Sequence, residues 1–139
     1  MKTAHVNWVK DLQFIANGGS NQGLILDSVP DQGGDGIGSS PMELVLEGLA
    51  GCTGMDVISI LKKKRQQVST FRIEASGERA TEHPKMFTSI HLIYYVSGTG
   101  VSEKAVRDAV NLSSDKYCSV AAMLNKTVKI THDVKVEEI

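Results

Sequence analysis

Residues 40–61 read SPMELVLEGLAGCTGMDVISIL, and no other stretch restricts the possible folds as strongly. Ser40 can cap a helix, Pro41 suits its first position, and Glu43, three residues after Ser40, completes a capping box. Behind that start, Leu44, Val45, Leu46, Leu49, Ala50, Cys52, Met55, Val57, Ile58, Ile60 and Leu61 cover an arc too wide for a surface helix. A helix apolar nearly all round is buried, either in a core or between subunits. Lys62-Lys63-Lys64-Arg65 then reads as a solvated end, with cations where a helix C-terminus favours them. The pattern predicts one long central helix over 41–67. Gly48, Gly51 and Gly54 weaken such a helix, which predicts that another backbone or a small substrate approaches closely around Cys52.

The remaining elements are short. VNWV, LQFIA and GLILD read as strands of a three-stranded meander, parted by turn signals at Lys10-Asp11 and at Asn17-Gly18-Gly19-Ser20-Asn21. A polar glycine-rich loop follows over 28–40. TFRIEASGERA and MFTSIHLIYYVSG read as a hairpin that turns near His83-Pro84. Ser102 can cap a helix over 103–112, and KYCSVAAMLNK reads as a further short helix holding Cys118. In TVKITHDVKV the residues Val128, Ile130, His132, Val134 and Val136 share one face of a last strand. This order predicts an α+β fold, with antiparallel sheet against the apolar helix. A chain of 139 residues reads as a single domain, 1–139, too short to cover that helix on every side. A second copy is the simplest cover, so a homodimer is expected.

Composition narrows the function. With 41% apolar and 22% charged residues and a net charge of −1, the chain has neither the basic block of a nucleic-acid binder nor an acidic tail. MKTAHVNWVK is not followed by a signal-peptide apolar core, and no 18-residue uninterrupted apolar run occurs. A cytoplasmic location without membrane association is expected, where structural disulfides rarely persist. The two cysteines, Cys52 and Cys118, therefore read either as small core residues or as redox thiols.

The helix dipole does not activate Cys52, which lies about 16 Å past Pro41 at about 1.5 Å per residue. A cation would have to come from elsewhere, Arg65, Arg72, Arg79, Arg107 and Lys116 being the later candidates. Asp56, four residues after Cys52, shares its helix face; it either orients such a cation or makes a structural hydrogen bond. Glu43 reads first as a cap, and Glu47 is an acid in an apolar stretch that calls for a partner. GGDGIG lacks the lysine of a phosphate loop. The histidines at 5, 83, 91 and 132 show no metal-ligand spacing, and no metal or cofactor is expected. Trp8, Tyr94 and Tyr95 read as sheet packing or as the lining of an apolar pocket.

SPMELVLEGLAGCTGMDVISIL, together with SSDKYCSVAAML at 113–124, resembles the OsmC/Ohr family, nearest to its OsmC-like branch with the YhfA-type proteins. The resemblance implies an α+β OsmC-like fold in which two chains intertwine, the cysteine helices lying at the dimer centre. It also implies a thiol peroxidase of oxidative or osmotic stress that reduces organic hydroperoxides. By matching motif positions, Cys52 would be the peroxidatic cysteine and Cys118 the resolving one, with Glu43 as a further catalytic candidate. A dithiol, of lipoyl type in some relatives, would be the reductant. The chain departs from the family at two points: no arginine precedes Arg65, and Met42 follows Pro41 where the family has glutamate, Glu43 coming one later. These departures raise an alternative, a non-peroxidase relative that binds a small hydrophobic ligand or senses redox state in the dimer pocket.

Overall fold

The computed structural model describes residues 1–20 and 22–139; Asn21, the last residue of the predicted turn, lies outside the described residues. Two compact units divide the chain, Met1–Val45 and Leu46–Ile139.

In the first unit, β1 (Ala4–Lys10), β2 (Gln13–Gly18) and β3 (Gly23–Leu26) form an antiparallel sheet in chain order, the meander expected from the alternating apolar residues. Trp8 faces Phe14 and Ile15 faces Ile25. Trp8 does not pack into the sheet as expected: it is 65% exposed, and its indole N–H donates to the Asp11 carbonyl at 2.9 Å. Val6, Leu12, Ile15, Leu24 and Ile25 are exposed as well.

The glycine-rich loop is wound around one carboxylate. Asp27, 2% exposed, accepts the backbone N–H groups of Ser28 (2.7 Å), Asp35 (3.2 Å) and Ile37 (3.3 Å). The amides that an anion would need are thus turned onto the chain's own acid, which disposes of a phosphate role for GGDGIG. Burial pushes the Asp27 carboxyl up, but the N–H donors of Ser28, Ile37, Asp35 and Gly36 outweigh it and hold it below the ordinary value. The winding is tight: a Cβ on Gly34 would stand 1.9 Å from the Ser28 carbonyl oxygen, and one on Gly38 2.2 Å from that of Ile25.

Helix α1 (Pro41–Lys63) starts where the capping box places it. The Ser40 N–H donates to Glu43 Oε1 at 2.9 Å and the Glu43 N–H to Ser40 Oγ at 3.2 Å. It ends four residues before the predicted limit. There the Gln66 N–H bonds the Leu61 carbonyl and the Arg65 N–H that of Lys62, with Arg65 left-handed at φ 57°; this is a Schellman stop with arginine in the usual glycine place.

In the second unit, β4 (Gln67–Arg79) and β5 (Phe87–Thr99) pair as the antiparallel hairpin expected, and β6 (Lys129–Glu138) completes the order β4-β5-β6. β6 departs from the all-antiparallel expectation. It runs parallel to β5, Tyr94 pairing with Val134, because α2 (Glu103–Leu112) and α3 (Ser119–Leu124) form the crossover that a parallel neighbour requires. Ser102 Oγ caps α2 by accepting the Ala105 N–H at 3.1 Å. The core gathers Leu49, Val57 and Leu61 of α1, Ile90, Leu92 and Val96 of β5, and Val106 and Val110 of α2.

α1 buries only the stripe Leu49, Thr53, Val57, Leu61. By length and composition it is long and apolar enough to cross a membrane, yet only 22% of its most apolar 18-residue window, mean hydropathy 1.6, is buried in the chain. Met55 is 75% exposed. The expectation about its glycines divides accordingly. A Cβ on Gly48 or Gly51 would meet nothing within 4 Å, whereas one on Gly54 would lie 3.1 Å from Ile73 Cδ1. Gly54 therefore serves packing inside the chain.

Candidate active site

The buried stripe of α1 contains one hydroxyl. Thr53 is flanked at four-residue spacing by Leu49 and Val57, all of them buried, so its Oγ1 must find a partner inside the core. It finds two: Tyr94 Oη on β5 and Ser113 Oγ, each at 2.9 Å. Ser113 Oγ in turn donates to Asp56 Oδ2 at 2.8 Å.

The direction of the chain of hydrogen bonds follows from proton counting. A carboxylate oxygen only accepts, so the single proton of Ser113 goes to Asp56. Thr53 must then donate to Ser113, and Tyr94 to Thr53. The result is an oriented row Tyr94→Thr53→Ser113→Asp56, whose first three members are at most 2% exposed. Burial pushes the Tyr94 phenol up, in keeping with its place as a neutral donor.

Ser113 opens a five-residue π-helical turn, Ser113–Tyr117, between α2 and α3. Such turns recur at functional sites. This one carries the backbone into an extended residue, Cys118 (φ −74°, ψ 104°), which caps α3. Cys118 was expected inside a helix; instead it stands at its start, Sγ accepting the Ala121 N–H at 3.4 Å while its own N–H donates to the Ser113 carbonyl at 2.8 Å.

Cys118 is 3% exposed and Cys52 half-buried, both thiols are free, and Cys52 is among the neighbours that act on the Cys118 thiol. Burial pushes the Cys118 thiol up to about 11; the Ala121 N–H opposes this and the neighbouring Cys52 adds to it. At neutral pH Cys118 is accordingly held as a thiol.

Asp56 also lines a groove of 440 Å³, with Ile60, Lys63, Lys64, Leu112 and Tyr117 among its walls. Its partner is Ser113, so the structural hydrogen bond, of the two readings, is the one observed. Most cations proposed from the sequence are engaged elsewhere. Arg72 pairs with Glu74 at 2.6 Å and stacks over Tyr95, Arg79 donates to the Lys85 carbonyl, and Arg107 lies between Glu103 and Asp133. Lys116 sits over Tyr117, and Arg65 terminates α1. Glu43 is engaged in the helix cap described above. His132 meets Asn111 Oδ1 at 3.2 Å and stands edge-on to Tyr94, and His91 bonds Thr131.

Thr53, Tyr94 and Ser113 carry the polar core of the site, and reading the sequence did not single out Thr53 or Ser113. The signal for Thr53 was its place in an otherwise aliphatic i, i+4 row.

Comparison with known proteins gives a consistent picture. The family model described as OsmC-like protein matches residues 33–133. Protein YhfA of Escherichia coli K12 is 43% identical over 133 residues, 96% of each chain. A crystal structure of a hypothetical protein from Aquifex aeolicus is 35% identical with a TM-score of 0.83, covering 99% of this chain and 98% of that one. An organic hydroperoxide resistance protein, OsmC, from Legionella pneumophila is similar in fold, with a TM-score of 0.71 at 14% identity over 97% and 96% of the two chains.

Proposed function

We propose, from the premise that the chain belongs to the OsmC-like family, that it is a thiol-dependent organic hydroperoxide reductase acting as a homodimer in the cytoplasm. The observation that carries the reading is the cysteine pair, a half-buried Cys52 beside a buried Cys118 whose thiol is pushed up to about 11. The Cys52 thiolate attacks the outer oxygen of the hydroperoxide; the O–O bond breaks, the alkoxide takes a proton and leaves as alcohol, and Cys52 becomes a sulfenic acid. The Cys118 sulfur then displaces that hydroxyl. Its proton leaves with the hydroxyl as water, and a Cys52–Cys118 disulfide forms. An external dithiol, of lipoyl type among the candidates, returns both thiols by exchange and is itself oxidised.

Glu43 enters this reading through its bonds to Ser40, which fix where the helix bearing Cys52 begins. The two units are taken as one OsmC-like domain, since the family match runs from 33 to 133 across the boundary at residue 45. Support for the dimer comes from the apolar surface left open: Met55, Gly48 and Gly51 on α1, and the exposed Val6, Ile15 and Ile25 of the small sheet. An apolar helix so incompletely covered calls for a partner surface.

The test is consumption of cumene hydroperoxide with dithiothreitol or dihydrolipoamide as reductant, comparing wild type with Cys52→Ser. Turnover that depends on Cys52 is expected. No turnover by the wild type, or equal turnover by the variant, refutes the reading.

A further inference from the structure

The row of hydroxyls has a consequence for the cysteine pair. Ser113 is held at both ends of its residue. Its Oγ is clamped between Thr53 and Asp56, which follow Cys52 on α1, one position and four positions along. Its carbonyl holds the Cys118 N–H at 2.8 Å across the π-helical turn. Ser113 is fully buried, so water does not compete for these bonds. The Cys118 backbone N–H thus bonds a residue whose side chain is locked to the helical turn that carries Cys52.

We infer that Ser113 is the positioning residue of the cysteine pair: it latches the Cys118 turn onto α1 and sets the approach of the two sulfurs. The step it serves is S–S bond formation. One sulfur attacks along the axis of the other sulfur's breaking bond, and misplacement by about 1 Å costs as much as about a hundredfold in rate. The acceptor at the far end needs only an oxygen in the right place. Asparagine at position 56 offers one; alanine offers none.

This inference rests on the proposal that Cys52 and Cys118 act as a pair, but its test does not use peroxide. Diamide accepts two electrons and two protons from a pair of thiols, becoming the hydrazine while the disulfide forms. The rate of Cys52–Cys118 disulfide formation is followed by quenching with a maleimide and mass spectrometry, for wild type, Ser113→Ala, Asp56→Ala and Asp56→Asn. In parallel, iodoacetamide alkylation of Cys52 is measured with Cys118→Ser in each background.

Disulfide formation is expected to slow about ten- to a hundredfold in Ser113→Ala and Asp56→Ala and to stay near wild type in Asp56→Asn, with Cys52 alkylation unchanged throughout. Disulfide formation at the wild-type rate in Ser113→Ala or in Asp56→Ala overturns the inference. So does slowing in Asp56→Asn as great as in Asp56→Ala, which would assign the effect to charge. Parallel loss of Cys52 alkylation also overturns it, because the whole site would then have loosened. Should Ser113→Ala fail to fold, the Asp56 pair decides alone. A protein without peroxide turnover that still shows this pattern with diamide would refute the proposed function and leave the latch standing.

Discussion

Replacing Thr53 by valine tests the oriented hydrogen-bond row most directly. Valine keeps the branched shape and nearly the volume of threonine, so no sizeable cavity opens; only the hydroxyl goes. Tyr94, 1% exposed, then has a phenolic O–H with no acceptor, and a stranded buried donor costs about 1–3 kcal/mol. Ser113 keeps its bond to Asp56 but loses the proton it accepted from Thr53, a further ~1 kcal/mol. Thr53→Val should therefore lower stability by about 2–4 kcal/mol, a large share of the ~5–15 kcal/mol typical of folded domains. Thr53→Ser, which keeps the hydroxyl and loses a methyl, should cost only about 1 kcal/mol.

The polarity of the row makes a sharper demand. If Tyr94 is the donor, Tyr94→Phe removes the stranded O–H, and the double variant Thr53→Val/Tyr94→Phe should be more stable than Thr53→Val alone by about 1 kcal/mol or more. Urea unfolding at one protein concentration gives all four values, with the slope of free energy against urea as the check on two-state behaviour. A Thr53→Val variant within about 0.5 kcal/mol of wild type would refute the buried row. A double variant no better than Thr53→Val would refute its direction.

Further measurements address other parts of the chain. Arg65 holds a left-handed φ of 57° at the Schellman stop and its side chain is exposed, so Arg65→Gly should raise stability by about 1 kcal/mol in urea unfolding. The Asp27 carboxyl is held below its ordinary value of 3.8; such a group adds stability above that value and loses it as pH falls through the lower, folded one. The protection of the 28–40 amides, measured as hydrogen exchange relative to the unstructured rate at each pH, should thus fall below about pH 3.8 in wild type, and Asp27→Asn should show low protection already at pH 7. With its thiol up at about 11, Cys118 in a Cys52→Ser protein should resist iodoacetamide at pH 8, and peptide mass spectrometry would show its labelling only in strongly alkaline buffer or after unfolding.

How much of this could be read from the sequence follows the reach of each interaction. The capping box at Ser40 and Glu43 and the cap at Ser102 join residues three apart, and both stand where local spacing puts them. The strands β1 to β5 show in their alternation, and their hairpin connections fix the partners. β6 was visible as a strand, with Val128 and Val134 buried, but nothing local says which neighbour it joins or in which sense. The place of Cys118 was missed because a π-helical turn and a helix cap share the same residue types as the helix expected there. The hydroxyl row was out of reach for the same physical reason. Thr53 lies 41 residues from Tyr94 and 60 from Ser113, distances that only the folded chain closes. The two cysteines, by contrast, stood out because the OsmC-like pattern surrounds each of them.

The parallel seating of β6 also sets an order of events in folding. β4 and β5 are joined by a short turn and can zip as soon as both exist, whereas Ser89 must wait for Lys129 and Gly98 for Glu138. Loop closure over forty residues is slow beside hairpin formation, and the waiting segment includes α2, the π-helical turn and Cys118. During synthesis, which delivers the chain from its N-terminus, Cys52 is made well before the strand that completes the sheet beside Tyr94. Cys118 follows well behind Cys52, so a nascent chain passes through an interval in which Cys52 has been made and Cys118 has not. The sheet beside Tyr94 is thus completed only once the last segment of the chain has been made.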